Sequence, residues 1–364
     1  TGGISVIADN ADELESALHK TVEAVPPPPP EPVVPAFNVT GHVVMAEGVE
    51  LPAPWNQPAW SFAAALNGQK GEYIRTEYGA DVKANFDKPG EMLATIGTDF
   101  AEVTIPANLA EGGTLELRAN LNAGIAQFKG MMDATTPLSN DGAAWTISKS
   151  DGTYVGTGYG IAPKHLLTAG SYKVKLQDGQ AETEAAFTVV PGQSVDVLVT
   201  LGSGAARVTG TYSEGGEALP DGTVLELRKP AGVSGEKQFI ATEYGNDKVF
   251  KAAAGNYVVI ASLDYARAEV PFTIVAGQEV PVAINLNAGF LAVTAAGAKA
   301  IDIQSGQKAL DGSRKRIGGE YADNLNKAVN AGNYHVVAYG DGNAVLAEKD
   351  VTVAAGQRTE VTLP

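Results

Sequence analysis

Cysteine is absent from this chain of 364 residues. Its absence excludes disulfide bonds, thiolate metal sites and cysteine nucleophiles together. Histidine is scarce: His19, His42, His165 and His335 lie far apart, and no two have the HxH or HxxxH spacing of paired metal ligands. We therefore expect these histidines at the surface or at sheet edges, and we predict neither a metal site nor a cofactor.

Basic residues and long apolar runs are also lacking. The 26 lysines and arginines stand against 42 aspartates and glutamates, so the net charge is −16 and a nucleic-acid backbone is repelled. We interpret the basic cluster Ser313–Arg316 as a solvated loop. No run of eighteen apolar residues occurs, which predicts no membrane span. Nucleophile-elbow, Walker and dinucleotide-binding motifs are missing, and no carboxylate pair stands out, so we predict no enzyme.

Glycine and proline, by contrast, are plentiful, with 42 and 20 copies, which predicts many turns between short strands. The strings AGSYKVKL, AGNYVVIA and AGNYHVVA occur at residues 169–176, 254–261 and 331–338. Gly170 and Gly255 are each followed by further turn glycines at the same two spacings, and a drifted copy begins at Gly90. The chain therefore contains four copies of one unit.

Each unit contains about seven alternating apolar segments in about eighty residues, a pattern typical of a β-sandwich. The shared glycine supplies a positive φ at a turn. The tyrosine two residues later is expected to pack its ring on the core with its hydroxyl at the edge. Two further sets of residues recur at matching places: Trp60, Trp145, Leu225 and Ile301, and Tyr78, Tyr159, Tyr244 and Tyr321. We interpret the repeats as structural copies.

The first residues differ from the repeats. Ile4–Ala8 is a strand-like apolar run, and Asp9 or Asn10 can cap a following helix. Residues 25–36 include the string VPPPPPEPVVP, which predicts a stiff polyproline II spacer. The predicted fold is all-β, with a strand–helix segment at 1–24, a linker at 25–36 and four β-sandwiches in tandem. The predicted sandwiches occupy residues 37–123, 124–203, 204–288 and 289–364.

Two family resemblances follow from these strings. TGGISVIADNADELESALHKTVEA resembles the closing strand and helix of a von Willebrand factor type A domain, which implies that the chain is part of a larger protein. The Asp-x-Ser-x-Ser metal loop of that family does not occur, so no metal ligand is transferred. The four units resemble bacterial Ig-like or transthyretin-like sandwiches of the Cna B and carboxypeptidase-regulatory types, through L-x-A-G-x-Y-x-V followed by V-x-x-G-Q. That resemblance implies the fold alone.

Two places are candidate sites. An uncovered strand edge is a template for pairing with another chain, and the apolar helix stripe lacks a covering sheet. We predict an assembly contact formed by Ile4, Val6, Ile7, Leu14, Leu18 and Val22, unless these residues simply end an intact upstream domain. The second candidate is Trp55, which either offers an exposed platform for sugar stacking or folds back on its own domain.

The turn strings at residues 139–142, 244–247 and 340–343 either contribute to calcium sites or form hairpin turns, and turn chemistry favours hairpins. Taken together, the sequence predicts a non-enzymatic structural or adhesive protein that acts through contact with a protein partner or through self-assembly. We expect it to be exported to the bacterial periplasm, the cell surface or the extracellular space. The alternative is a module that binds surface polysaccharide.

Overall fold

The computed structural model describes residues 10–23, 36–139, 142–232 and 235–364. Helix α1 (Ala11–Glu23) begins the described part, and its first turn is capped because the Glu13 backbone N–H donates to Asn10 Oδ1 at 2.9 Å. The predicted strand Ile4–Ala8 and the proline-rich spacer at 25–35 lie outside the described residues. No helix in the described part is long and apolar enough to cross a membrane.

Sandwich 1 is built from two sheets. Its eight strands are β1 (Val39–Ala46), β2 (Val49–Glu50), β3 (Ala59–Leu66), β4 (Gln69–Tyr78), β5 (Asp81–Ala84), β6 (Gly90–Thr98), β7 (Ala101–Leu109) and β8 (Leu115–Asn120). One sheet has the order β4-β3-β6-β7, and in the other β1 pairs with β2, β5 and β8.

Sandwich 2 has seven strands. They are β9 (Ala123–Met131), β10 (Ala144–Lys149), β11 (Tyr154–Tyr159), β12 (Lys164–Thr168), β13 (Gly170–Asp178), β14 (Ala181–Val189) and β15 (Ser194–Thr200). They form a four-stranded sheet, β11-β10-β13-β14, and a three-stranded sheet, β12-β9-β15.

Sandwich 3 repeats this arrangement. Its strands are β16 (Ser203–Thr211), β17 (Val224–Arg228), β18 (Phe239–Tyr244), β19 (Lys248–Ala253), β20 (Gly255–Leu263), β21 (Ala266–Ile274) and β22 (Glu279–Asn285). The sheet orders are β18-β17-β20-β21 and β19-β16-β22.

Sandwich 4 repeats it again. Its strands are β23 (Ala288–Ala295), β24 (Ala300–Lys308), β25 (Arg314–Glu320), β26 (Asn324–Asn330), β27 (Gly332–Tyr339), β28 (Val345–Val353) and β29 (Arg358–Leu363). The sheets are β25-β24-β27-β28 and β26-β23-β29. The predicted all-β fold of tandem β-sandwiches is therefore confirmed. The first strand of each sandwich (β1, β9, β16 or β23) pairs parallel with the last strand (β8, β15, β22 or β29).

The matching apolar positions of the repeats lie in the cores. Trp60 and Trp145 are fully buried, and their indole N–H groups donate to the carbonyls of Gly79 at 3.0 Å and Gly160 at 2.7 Å. Leu225 and Ile301 occupy the corresponding places in sandwiches 3 and 4 and are also buried. Burial alternates along strands inside the sheets, such as β1, β10, β17 and β24, which shows that one face of the sheet is turned to the core.

The repeated tyrosines have the predicted arrangement. Tyr172, Tyr257 and Tyr334 bury their rings, and each hydroxyl donates to the carbonyl four residues earlier, at 2.6, 2.9 and 2.6 Å. The glycine two residues before each of these tyrosines has a φ of 155° to 159°. In sandwich 1 the buried Met92 takes the place of the tyrosine, so the ring position is filled without a hydroxyl.

The loop prediction for the basic cluster is wrong for three of its four residues, Arg314, Lys315 and Arg316. All three lie in strand β25, and Arg316 Nη2 approaches Asp302 Oδ1 at 2.8 Å. A carboxylate on the neighbouring strand β24 compensates the guanidinium, which is why a cluster of cations can occupy an edge strand.

Candidate functional site at the junctions between sandwiches

The same hairpin of sandwiches 1, 2 and 3 reaches the following sandwich. This hairpin joins β6 to β7, β13 to β14 and β20 to β21. One backbone N–H at its tip donates to a carbonyl on an edge strand of the next sandwich. The three bonds are Phe100 to Leu166 at 3.2 Å, Gln180 to Lys251 at 2.9 Å and Tyr265 to Ala328 at 3.1 Å. Each junction therefore repeats one backbone contact.

Asp99 organises the junction between sandwiches 1 and 2. It sits at the hairpin tip with φ 53°, and its Oδ2 accepts the Leu166 backbone N–H at 2.7 Å and the Trp55 indole N–H at 3.0 Å. Its Oδ1 lies 3.0 Å from His165 Nδ1, and both of these side chains are only 15% exposed. One carboxylate thus ties a loop of sandwich 1 to an edge strand of sandwich 2.

An aromatic ring fills the same junction. Phe100 packs on His165 with ring centroids 4.7 Å apart, and it stands directly against Gly156 of strand β11. A Cβ on Gly156 would lie 2.2 Å from that ring, so the glycine is required for the approach. Leu166 belongs to the buried cluster of sandwich 1, while Phe100 packs on that of sandwich 2. The two cores are therefore continuous.

The junction between sandwiches 3 and 4 uses the same parts. Asp264, at φ 49°, accepts the Ala328 backbone N–H through Oδ2 at 2.9 Å. Tyr265 donates its hydroxyl to the Gly319 carbonyl at 2.9 Å, and its ring stands against Gly318, the counterpart of Gly156. Ala328 belongs to the buried cluster of sandwich 3, while Tyr265 packs on that of sandwich 4, so these cores are continuous as well.

The middle junction is polar. The tip between β13 and β14 carries Asp178, Gly179 and Gln180 and no aromatic residue. Asp178, which is 6% exposed, pairs with Lys251 Nζ at 3.1 Å. Among the described residues, the buried cluster of sandwich 2 contains no residue of sandwich 3, and that of sandwich 3 contains none of sandwich 2. The chain is therefore organised as two pairs of sandwiches with fused cores, joined by an ion pair and backbone hydrogen bonds.

The described residues include two of the three turn strings in full and part of the third. No group of three or more His, Asp and Glu side chains in this described part of the chain is arranged to hold a metal ion. In the string at 244–247, Asn246 Oδ1 accepts the Gly210 N–H and Asp247 pairs with Arg207. The string at 340–343 contains a 3₁₀ turn, Asp341–Asn343. In the string at 139–142, Asn140 and Asp141 lie outside the described residues.

The predicted site residues differ in their location and in their exposure. Leu14 and Leu18 lie on α1 with 55% and 57% of their surface exposed, and Val22 falls within the same helix. Ile4, Val6 and Ile7 lie outside the described residues. Trp55 is half-buried, packs against the core of sandwich 1 and is held by Asp99. The assembly contact and the sugar platform remain predictions.

Three of the four histidines contact carboxylates. His42 Nδ1 lies 2.8 Å from Asp81, and His335 Nδ1 lies 2.7 Å from Asp350. The hydrogen bond to Asp81, with a contribution from Glu50, raises the pKa of His42 above its usual 6.5 against the opposing effect of burial. The third histidine, His165, contacts the Asp99 carboxylate at the first junction. These contacts tie strands and sandwiches together.

The sequence prediction missed the junction residues. A signal was present, because Asp99 and Asp264 both stand nine residues after the repeated glycine, and an aromatic residue follows each of them. This pattern does not differ from that of an ordinary hairpin turn, because aspartate at positive φ is common in turns. Only the partner strand, more than sixty residues further along the chain, distinguishes it.

The family described as "Rgs_repeat: Rhizobiales growth-associated tandem repeat domain" matches residues 138–201, which is less than half of the chain. No curated protein matches the sequence significantly. Among solved structures, the TIE protein of Bacillus anthracis is similar over 98% of this chain and 79% of its own, with 10% identity and a TM-score of 0.27. A streptococcal ancillary pilin is similar over 68% of this chain and 97% of its own, with 13% identity and a TM-score of 0.26. Likeness at this level assigns no function.

Proposed function

We propose that this protein is a non-enzymatic structural protein, exported to the bacterial periplasm, the cell surface or the extracellular space. Its β-sandwiches form an extended spacer or scaffold that works through contacts with other protein molecules. We further propose that the sandwiches divide at the predicted boundaries, 37–123, 124–203, 204–288 and 289–364, with almost no linker between them.

The junctions carry this proposal. A chain of independently folded binding modules needs only flexible linkers, whereas here half-buried aromatic rings, glycines and carboxylates fix sandwich 1 to sandwich 2 and sandwich 3 to sandwich 4. Three equivalent backbone bonds repeat the attachment. Continuous cores at two of the junctions resist bending because the apolar contacts would be lost on opening. Such an arrangement holds neighbouring sandwiches in fixed positions, which is the role of a spacer or scaffold.

The assembly contact is proposed at the N-terminal segment. Leu14 and Leu18 form an exposed apolar stripe on α1, and such a stripe is stabilised by burial against another surface. The resemblance of residues 1–24 to the end of a von Willebrand factor type A domain supports the same location. The partner is a second copy of the chain or the remainder of a parent domain.

Light scattering of the full chain over a range of concentrations tests the self-assembly form of this proposal. We expect the wild-type mass to rise with concentration above the 37.5 kDa of one chain. The double variant Leu14→Glu and Leu18→Glu should remain monomeric. Ser16→Glu on the opposite side of α1 is the matched control and should assemble like the wild type. Association that is equal in all three proteins would contradict the proposed contact.

A further inference from the structure

A row of exposed aromatic side chains recurs on the edge strand of the four-stranded sheets. The aligned segments read YIRTEY at 73–78, YVGTGY at 154–159, FIATEY at 239–244 and RIGGEY at 316–321. The aromatic residues at the two ends of these segments are between 53% and 94% exposed: Tyr73, Tyr78, Tyr154, Tyr159, Phe239, Tyr244 and Tyr321. Core packing explains none of them.

A β-bulge places both ends of each segment on one face of the sheet. In sandwich 1, Tyr78 pairs with Ala59 and Tyr73 pairs with Ala63, and the extra residue Ile74 absorbs the odd spacing. Ala59 and Ala63 lie on the face of β3 opposite to the buried Trp60 and Phe62, so the two tyrosines lie on the outer face, where Ala63 itself is fully covered. Four residues of partner strand separate the rings by about 13 Å along the strand.

Sandwiches 2 and 3 repeat this geometry. Tyr159 and Tyr154 pair with Ala144 and Ser148, on the outer face of β10. In sandwich 3 the corresponding register places Tyr244 and Phe239 on the outer face of β17. In sandwich 4, Arg316 stands at the first aromatic position and pairs with Asp302, which leaves Tyr321 as a single ring. Three sandwiches therefore carry a pair of rings, and the fourth carries one.

In sandwiches 1 and 2 the first ring of the pair is held in place before any ligand arrives. Tyr73 Oη donates to Thr76 Oγ1 at 3.2 Å, and Tyr154 Oη and Thr157 Oγ1 are also 3.2 Å apart. Both threonines occupy the fourth place of the aligned segment, so each tyrosine hydroxyl has a partner on its own strand while most of the side chain is exposed. A pre-positioned ring binds a ligand without the cost of ordering it.

The neighbouring side chains exclude the main alternative occupants. Between the rings of sandwich 1 the outer face consists of a row of hydroxyls, Thr76, Ser61, Thr95 and Thr104, so no continuous apolar patch is available for the dry core of a protein interface. The bulge interrupts the free backbone ladder, which opposes the addition of a strand from another chain. The net charge of −16 repels an anionic polymer.

We propose that these aromatic pairs are binding subsites for an uncharged, repetitive polysaccharide. The apolar faces of sugar rings stack on the tyrosine and phenylalanine rings, and the threonine and serine hydroxyls between them meet the sugar hydroxyls. A ligand with a repeating structure suits a surface that repeats its own chemistry, because weak subsites on successive sandwiches then bind together. Trp55, which Asp99 holds against sandwich 1, is not part of this surface.

Native gel electrophoresis of the full chain tests this proposal, with a neutral glucan, mannan, glucomannan or xylan dissolved in the gel. We expect at least one of these polymers to retard the wild-type protein, and alginate, an anionic polymer, to leave its mobility unchanged. Tyr73→Ala and Tyr154→Ala should each weaken the retardation several-fold. The triple variant with Phe239→Ala as well should lose it, whereas Tyr73→Phe, which keeps the ring, should retain most of it.

Leu198→Ala is the matched control, because Leu198 is comparably exposed but lies on strand β15 of the other sheet. It should be retarded like the wild type. Circular dichroism and thermal unfolding verify that each variant is folded. Absence of retardation by every neutral polymer, or equal retardation of the wild type and the triple variant, would overturn the proposal. A protein partner lost by the triple variant, with no polymer bound by the wild type, would assign the surface to protein binding and would also overturn it.

Discussion

At the scale of single residues, two sets of tyrosines recur in the repeats, and the two sets have different roles. The tyrosine near the start of β13, β20 and β27 buries its ring and uses its hydroxyl to fix the strand that precedes it. The tyrosine that closes β11 and β18 exposes its ring to solvent. Burial raises the pKa of Tyr172, Tyr257 and Tyr334, as expected for hydroxyls removed from water. Repetition alone therefore does not identify a core position.

Removing one buried hydroxyl tests the first of these roles. Tyr257→Phe deletes the donor to the Ala253 carbonyl while the ring remains in the core. We expect the free energy of unfolding of sandwich 3 to fall by about 1 kcal/mol, the usual net worth of one hydrogen bond. Tyr244→Phe, at an exposed position in the same sandwich, should change it by less than about 0.5 kcal/mol. Urea unfolding followed by circular dichroism compares them, and equal losses would contradict the assigned role.

His42 gives sandwich 1 a pH-dependent contribution to stability. Its pKa is raised by the hydrogen bond to Asp81, so the protonated ring is favoured in the folded state. The stabilisation is present below the unfolded pKa of about 6.5 and is lost as pH rises through the higher folded pKa. The effect is expected to be small because the side chain is partly exposed.

We therefore expect sandwich 1 to unfold at a higher temperature near pH 6 than near pH 8 in part because of this ring. His42→Gln should reduce the difference, and Asp81→Asn should reduce it less, because it removes the hydrogen-bond partner but leaves Glu50. Calorimetric scans at the two pH values measure the change. An unchanged difference in both variants would show that the ring does not contribute.

At the scale of elements, the hairpin tip is the unit that joins sandwiches. An aspartate at positive φ accepts a backbone N–H from the next sandwich, and the following aromatic ring packs on a glycine there. The middle junction keeps the backbone hydrogen bond, but Gln180 stands where the other tips carry an aromatic ring. An ion pair between Asp178 and Lys251 takes the place of the hydrogen bond from a backbone N–H to a carboxylate. The same hairpin therefore gives two kinds of joint.

The aromatic residue of the tip should determine how strongly sandwiches 3 and 4 are coupled. Tyr265→Ala removes the ring from Gly318 and the hydrogen bond to Gly319, and we expect a loss of about 2–4 kcal/mol. In calorimetry these two sandwiches should then unfold separately rather than together. Gln180→Ala at the middle junction, an exposed side chain, should leave the unfolding profile as it is. A Tyr265→Ala profile identical to the wild type would contradict the coupling.

The sequence predicts the elements better than the joints. Alternating apolar residues and the spacing of turn glycines depend on neighbours within one strand or hairpin, and they predicted the sandwiches and the matching places of Trp60 and Trp145. The joints depend on residues more than sixty positions apart, such as Asp99 and Leu166, and no local pattern contains both. The strand around Arg316 was missed for a related reason: its charge is neutralised by Asp302 on the paired strand.

At the scale of the whole molecule, the chain consists of two stiff pairs of sandwiches with a more compliant joint between them. Sandwiches 1 and 2 share a continuous core, and so do sandwiches 3 and 4. The middle joint relies on an ion pair and on Gly277, which lies against Asp133 and Thr136 rather than against apolar side chains. Opening it exposes less apolar surface and is therefore less costly. A spacer of this design keeps its length while allowing one bend.

Distance distributions between paired spin labels test this central claim most directly. The chain has no native cysteine, so labels attach only where cysteine is introduced. Thr104, Glu184, Glu269 and Glu348 are exposed and occupy the same register position in β7, β14, β21 and β28. Three double variants, with cysteine at 104 and 184, at 184 and 269, or at 269 and 348, each span one junction.

Double electron–electron resonance should give narrow distributions across the first and third junctions and a broader one across the middle junction. Tyr265→Ala, added to the third pair, should broaden that distribution toward the width of the middle one. Broad distributions across all three junctions would contradict the account, because the sandwiches would then form a flexible string. A middle distribution no wider than its neighbours would contradict the compliant joint.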